Sequence, residues 1–185
     1  VASFPPIEET MSLLLEVCPE ARIVGTLYNA SEANSVKAVS VAREILSRRN
    51  VKLEEITIGG TGDVLLGAQA LLARNPDAVW VTGDNTVLQA LEGIIKPTAA
   101  ARVPLILNDP EFVERGALMA VGIGWHASGL EAGRMAARVL RGESPAGMPI
   151  RELARRRVVL NHAVAERLGL VFPETLKAEA DRSDP

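Results

Sequence analysis

Short apolar runs alternate with longer amphipathic stretches along most of the chain. Five runs of four to eight residues are rich in aliphatic side chains, and turn residues follow most of them. Such runs are typical of strands buried in a parallel sheet. The predicted strands are Ile23–Leu27, Val51–Ile58, Ala78–Val81, Pro104–Leu107 and Ala117–Ile123.

The stretches between these runs repeat apolar residues at helical spacing. Ser31 is predicted to cap a helix that runs to about Arg49, because a serine side chain accepts a hydrogen bond from the free N–H groups of a first turn. Pro97 is predicted to end or kink the helix that begins near Asn85. The other predicted helices are Pro6 to Pro19, Val64–Arg74, His126–Leu140 and a short one from an Asn161 cap to Leu168.

This alternation predicts the α/β class, with a doubly wound, mostly parallel sheet of five strands and right-handed crossovers. The pattern changes after Ile123. A loop rich in proline and glycine, Ser144–Pro149, separates the helix His126–Leu140 from a late strand at Val158–Leu160. The charged tail beyond Phe172 is expected to be frayed.

Composition limits the classes of function. With 185 residues, 48% of them hydrophobic, the chain is long enough for one domain and part of a second. The net charge of −3 gives no indication of a nucleic-acid surface. The single cysteine, Cys18, excludes an internal disulfide and the usual zinc patterns, and it is predicted to be a buried apolar residue. The chain begins on Val1 rather than methionine, which suggests a trimmed fragment, so a missing signal peptide says little about compartment.

Polar clusters follow three of the predicted strands. The carboxyl ends of parallel strands meet at one edge of the sheet, where open α/β folds bind ligands. Each cluster alone is explained by helix capping, but the convergence of three favours a binding site. No glycine fingerprint for a dinucleotide is present, so a small polar or charged ligand fits better. The candidate ligand-binding residues are Asn29, Ser31, Glu32, Asn34, Ser35, Thr82, Asp84, Asn85, Thr86, Asn108 and Asp109.

The chemistry of these clusters suggests how they would divide between the charged groups of a ligand. Asp84, Asn85 and Asp109 supply acceptors for an ammonium group or for hydroxyls. Ser31, Ser35 and the nearby helix N–H groups supply donors for a carboxylate.

Catalysis is not indicated, and we expect no enzyme, cofactor or metal site. The two histidines, His126 and His162, have no triad partners or metal-ligand spacing. Trp125 and His126 follow a predicted strand and are expected either to line the ligand or to serve only as a hinge. The arginine run 155–157 is interpreted as a solvated strand edge, and Trp80 is predicted to lie in the core.

Four segments together resemble a known family, the ABC-transporter substrate-binding proteins whose best-known branch binds tryptophan and other aromatic amino acids. The family pattern is similar to Tyr-Asn-Pro-Gly-Glu-Ala-Asn-Ser, followed about fifty residues later by Thr-Asp-Asn-Thr. This chain matches Glu-Ala-Asn-Ser in full, departs from the pattern at Ala30 and Ser31, and inserts Gly83. The segments that carry the resemblance are Tyr28–Ser35, Thr82–Val87, Arg115–Ala117 and Gly133–Ala136.

The resemblance implies a type I periplasmic binding protein, in which two α/β lobes close on a ligand. With the strand–helix alternation, it predicts the strand order 2-1-3-4-5, with the Ile23 strand inside the sheet. Residues 6–123 would form the second, C-terminal lobe, and most of the first lobe would be missing. Residues 124–170 would be a hinge-crossing segment belonging partly to that first lobe, and 171–185 a flexible tail.

The resemblance also implies a function: the solute-binding component of an ABC importer, which binds an amino acid or a similar small solute. Its partners would be the transporter membrane subunits, and its location the periplasm or a lipid anchor outside the cell. The alternative is a ligand-sensing regulatory domain of the same fold, linked to a signalling partner. A small enzyme of flavodoxin-like topology is disfavoured because no acid–base constellation is present.

The helix His126–Leu140 is too apolar to be left in water. Six of its apolar residues carry this expectation, and a buried leucine or methionine contributes roughly 1.5–3 kcal/mol. If residues 1–185 exist alone, we therefore predict a homodimer that covers this helix. The six residues are Leu130, Met135, Ala136, Ala137, Val139 and Leu140.

Overall fold

A computed structural model describes residues 4–148 and 156–183. Helices and strands alternate from the start of this range, as the apolar pattern predicts. The first half comprises α1 (Ile7–Val17), β1 (Ile23–Asn29), α2 (Ala33–Arg48), β2 (Lys52–Ile58), α3 (Val64–Leu72), β3 (Ala78–Val81) and α4 (Asn85–Gln89). The second half comprises α5 (Glu92–Ala101), β4 (Leu105–Leu107), β5 (Met119–Ile123), α6 (Trp125–Leu140), β6 (Arg156–Leu160), α7 (His162–Leu168) and α8 (Glu174–Ser183).

The sheet has the order β2-β1-β3-β4-β5-β6. Strands β1 to β5 are parallel, and β1 lies inside the sheet between β2 and β3, so the predicted order 2-1-3-4-5 is confirmed. The predicted number of five strands is one too few. Strand β6 pairs antiparallel with β5, where Val121 lies opposite Val158. The late strand near Val158 is therefore a member of this same sheet.

Each face of the sheet is covered by helices, because alternate residues of the strands are apolar on both sides. On one face, Val24 and Trp80 pack with α1, α2 and the C-terminal α7 and α8. On the other face, Leu27 and Val79 pack with α3, α4 and α5. Trp80 is fully buried, which confirms its predicted place in the core.

Two predicted helix boundaries are wrong. Helix α2 begins at Ala33 rather than after a Ser31 cap, because Glu32 occupies the N-cap position and Ser31 donates its backbone N–H to Asn29 Oδ1. The helix predicted from Asn85 to Lys96 is broken before Glu92 instead of at Pro97, which lies inside α5.

The prediction of a frayed tail is also wrong over the residues that the structure describes. Residues 174–183 form α8, and Leu176 is buried with Phe172 against the first face of the sheet. Arg156 on β6 pairs with Glu179 on α8 and with Glu9 on α1, which ties the last strand to both helices. Arg155 lies outside the described residues.

Helix α6 differs from the other long helices because it leaves most of its surface in solvent. Trp125 is 54% exposed, Leu130 52% and Leu140 88%. In the described parts of the chain, no helix combines the length and apolarity needed to cross a bilayer.

Candidate ligand-binding site at the sheet edge

The three polar clusters meet at the carboxyl edge of the sheet. The backbone N–H of Asn29, at the end of β1, donates to Asp84 Oδ2 at 2.8 Å, just beyond β3. Asn34 Nδ2 donates to the Gly83 carbonyl oxygen at 3.0 Å. Asp109, which follows β4, lies beside Gly83, where an added Cβ would be 3.4 Å from Asp109 Oδ2. The convergence expected from the sequence is present, while the binding role of these residues stays a prediction.

A cavity of about 560 Å³ opens at this edge. Five of the eleven candidate residues line it, together with Trp125. The polar lining is Asn34, Thr82, Asn85, Asn108 and Asp109. The lining that the sequence reasoning missed is Phe4, Pro5, Gly83, Leu88 and Ile123.

Position along the chain could have identified some of these missed residues. Ile123 ends β5 at the same edge as the polar clusters, and Leu88 lies one helical turn after Asn85. Phe4 and Pro5 precede α1 and carry no such signal, because the sequence does not show where an N-terminal segment lies.

The other six candidates do not line this cavity. Four of them form a network of hydrogen bonds that joins the end of β1 to the start of α4: Asn29, Glu32, Asp84 and Thr86. These four support the edge of the sheet rather than face the cavity. Ser31 is exposed, and the Ser35 hydroxyl is buried without a hydrogen bond to any described residue.

Glu32 is the centre of this network. Its Oε2 accepts from the Asn85 backbone N–H at 2.9 Å and from Asn85 Nδ2 at 2.8 Å. Its Oε1 accepts from the Thr86 backbone N–H at 2.9 Å and from the Thr86 hydroxyl at 2.8 Å. Burial acts to raise the pKa of Glu32, but these hydrogen bonds outweigh it and hold the pKa below its usual value.

Asp84 caps α4 and is fully buried. Its Oδ1 accepts from the Val87 backbone N–H at 2.9 Å, and its Oδ2 accepts from Asn29. Asn29 in turn donates from Nδ2 to Thr86 Oγ1 at 2.9 Å. Because both carboxylate oxygens of Asp84 are used within the protein, this residue orients α4 and the first cluster.

Asn108 lines the cavity, but its side-chain amide is engaged inside the protein. Its Oδ1 accepts from Trp80 Nε1 at 2.8 Å, and its Nδ2 donates to Thr10 Oγ1 at 2.8 Å and to the Val121 carbonyl oxygen at 2.7 Å. The neighbouring β5 must carry a glycine at 122, since an added Cβ would lie 2.2 Å from the Asn108 carbonyl oxygen. Asn108 therefore fixes the end of β4.

Asp109 is the acidic residue of the lining, and it is held differently. It is 6% exposed, and its Oδ2 is buried without a hydrogen bond to any residue in the described ranges. Burial raises the pKa of Asp109 to about 6, and the charge of Glu111 adds to the shift, while the Trp125 side chain opposes it. Asp109 is therefore a nearly buried acid with one oxygen unused.

The two candidates after β5 differ in what they line. Trp125, the first residue of α6, lines the cavity at the sheet edge and also borders an open groove along α6. His126 lies only in that groove, with Gly129 and Leu130. The structure thus supports Trp125, and not His126, as a residue that lines this cavity.

Glu32→Gln is expected to loosen the start of α4, because an amide group would replace a carboxylate oxygen that accepts hydrogen bonds from Asn85 or Thr86. We expect a loss of about 1–2 kcal/mol in unfolding free energy, because each Glu32 oxygen accepts two hydrogen bonds at a half-buried position. Amide hydrogen exchange at Asn85 and Thr86 should also become faster. Urea denaturation and exchange measured by NMR test this, with the exposed Glu16→Gln as the control. Unchanged exchange at both amides would contradict the role given to Glu32.

Comparison with known proteins identifies the family to which the chain belongs. The sequence profile of the ABC transporter substrate binding proteins matches residues 1–183. The tyrosine-binding protein of Clostridioides difficile is 26% identical over 164 residues, which are 89% of this chain and 47% of that protein. The chain spans about half the length of the curated relatives it matches.

The solved structures that are similar over nearly the whole chain include one from Vibrio cholerae and one from Streptococcus pneumoniae. A conserved domain protein of Vibrio cholerae has a TM-score of 0.89 and 30% identity, covering 97% of this chain and 60% of that one. A Streptococcus pneumoniae ABC domain in complex with L-Trp has a TM-score of 0.86 and 26% identity, covering 95% of this chain and 61% of that one. The fold is that of a type I periplasmic binding protein, and the chain belongs to the family of ABC-transporter substrate-binding proteins.

Proposed function

We propose that the protein delivers an amino acid, or a similar small solute, to the membrane subunits of an ABC importer. The observation that carries this proposal is the cavity at the sheet edge, whose lining combines amide and hydroxyl groups with apolar side chains. Family membership supplies the transporter context, and the names of the tyrosine-binding and L-Trp-bound relatives favour an amino acid. This function places the protein outside the cytoplasmic membrane, in the periplasm or on a lipid anchor.

The solute would be held between two lobes. In this proposal, residues 6–123, together with β6, α7 and α8, form the second lobe, and α6 belongs with a first lobe contributed by the rest of the protein. Two observations support this division. The chain leaves the sheet after Ile123 and returns at Arg156 on the adjacent strand, and α6, which lies between these points, is largely exposed.

Closure of the lobes would then complete the pocket. On the described side, Asn34, Thr82 and Asn85 offer polar contacts, while Leu88 and Ile123 form an apolar wall. The supporting network around Glu32 and Asp84 holds these residues in position, so ligand contacts need little rearrangement of this lobe.

Binding by the full-length protein tests the proposal. Thermal shift with the twenty amino acids and with neutral sugars, followed by calorimetry on any hit, should find an amino acid that binds at one site. Leu88→Asp should weaken that binding by placing a charge in the apolar wall. Leu66→Asp serves as the matched control, because Leu66 is 68% exposed and lies outside the cavity lining. Binding of sugars alone, or of none of these compounds, would refute the amino-acid proposal.

A further inference from the structure

Asp109 differs from the other groups at the sheet edge because its carboxylate is not fully paired within the described residues. It is the only charged residue among the described residues that line the cavity. The other buried carboxylate of this edge, Asp84, uses both oxygens for backbone N–H groups. The Oδ2 of Asp109 makes no such bond within the described residues, although the side chain is nearly buried.

A carboxylate in this position is unfavourable without a partner. Burying a charge that is not paired costs far more than burying a hydrogen-bonded one. Glu111, on the turn that follows, adds a second negative charge, and the Trp125 side chain from α6 is the group that favours the charged form. No lysine or arginine belongs to the described lining that could neutralise Asp109 from this lobe.

A positively charged ligand group would supply what is missing. An ammonium group carries three N–H donors and a full positive charge, and its hydrogen bonds to a carboxylate are among the stronger ones in proteins. A ligand carboxylate at the same place would be repelled by Asp109. The apolar neighbours Phe4, Leu88 and Ile123 suit the uncharged body of the same solute.

We infer that Asp109 is the residue that binds the ammonium group of the solute, so that the site selects amines over otherwise identical compounds that lack the amine. This inference rests on the proposed function, and it names the specificity-determining residue of that site. Sequence patterns offered Asp84, Asn85 and Asp109 equally as acceptors, and the hydrogen bonds of the folded chain single out Asp109.

Matched pairs of ligands test the inference in the full-length protein. The probes are L-tyrosine with 3-(4-hydroxyphenyl)propionate and L-tryptophan with indole-3-propionate, measured by calorimetry at pH 7.5. Within the pair that binds, the amino acid should bind at least about tenfold more tightly, the scale of a charge-assisted hydrogen bond. Asp109→Asn should weaken binding of the amino acid by at least about tenfold and leave the affinity of the deaminated acid unchanged or improved.

Proton release on binding provides a second measurement, which would not change if Asp109 had only a structural role. Near pH 6 a part of the Asp109 population is protonated in the free protein, and binding of a cation requires the charged form. Binding of the amino acid should therefore release a fraction of a proton, seen as a dependence of the calorimetric heat on buffer ionisation. Asp109→Asn should abolish this release, and Glu114→Gln, an exposed acid on the same turn, should retain it.

The outcomes separate the inference from the function on which it rests. Equal affinity for an amino acid and its deaminated partner, or unchanged amino-acid affinity in Asp109→Asn, would overturn the role of Asp109 and leave solute binding standing. Binding of none of the twenty amino acids would overturn both, and a hit other than tyrosine or tryptophan is compared with its own deaminated acid in the same way.

Discussion

Asp109→Asn is expected to make the ligand-free protein more stable at pH 7.5, and to lose this advantage in acid. In the folded protein the pKa of Asp109 is raised from 3.8 to about 6, chiefly by burial, so the folded state binds this proton more tightly than the unfolded state. The neutral amide of asparagine avoids the cost of a buried charge. The largest difference between the two proteins should therefore appear where Asp109 is fully ionised.

The sign follows from proton linkage. Below about pH 3.8 the carboxyl is protonated in both states, and the protein carries no penalty from its charge. As the pH rises through about 6, the folded state must give up a proton that it holds more tightly, and stability is lost. A shift of about two pKa units corresponds to at most about 3 kcal/mol, or roughly 6–12 °C in Tm for a chain of this size.

Urea denaturation and calorimetry at pH 4, 5, 6 and 7.5 test this expectation. The difference between Asp109→Asn and the natural sequence should grow with pH and level off above about pH 7. Glu114→Gln should show no such trend, because this acid is exposed. An Asp109→Asn variant that is less stable at pH 7.5 would mean that the carboxylate has a favourable partner in the ligand-free protein.

A gain in stability with a loss of binding would have a clear physical meaning. Residues kept at a cost to stability are typical of functional sites. The buried charge of Asp109 would then destabilise the ligand-free protein, and a bound ligand would neutralise it.

The sequence predicted the parallel part of the sheet because local patterns determine it. Runs such as Ala78–Val81 are apolar on both faces, which is what a central parallel strand requires. The pairing of β6 with β5 was not predictable, since it depends on how far α6 carries the chain away before it returns. The tail was misjudged because the few apolar side chains of α8, among them Leu176, find their cover on distant elements.

The place of the site was predictable, but the role of each residue was not. Serine, aspartate, asparagine and glutamate both cap helices and bind ligands, and the sequence does not separate the two uses. Glu32 illustrates this: it follows β1 yet accepts hydrogen bonds from the first turn of α4, fifty-three residues further along the chain. Only the folded arrangement shows that Asp84 is satisfied by the protein and that Asp109 is not.

Residues 1–185 produced by themselves are expected to self-associate through α6. The exposed leucines of this helix, Leu130 and Leu140, lie on a segment that the proposed function assigns to a first lobe. A fully buried leucine contributes roughly 1.5–3 kcal/mol, so the half-exposed Leu130 would gain about 1 kcal/mol from a partner surface, and Leu140, which is 88% exposed, would gain more. Two copies that meet through the same face double this gain, which favours a symmetric dimer.

Sedimentation of the 185-residue chain and of the full-length protein distinguishes burial of α6 by a second copy from burial of α6 by a first lobe. The short chain should dimerise as its concentration rises, whereas the full-length protein, whose first lobe would cover α6, should remain a monomer. Leu130→Glu should return the short chain to a monomer, while Leu66→Glu, at a still more exposed position on α3, should not. A short chain that stays monomeric at high concentration would show that α6 needs no partner, and the assignment of this helix to a first lobe would lose its energetic basis.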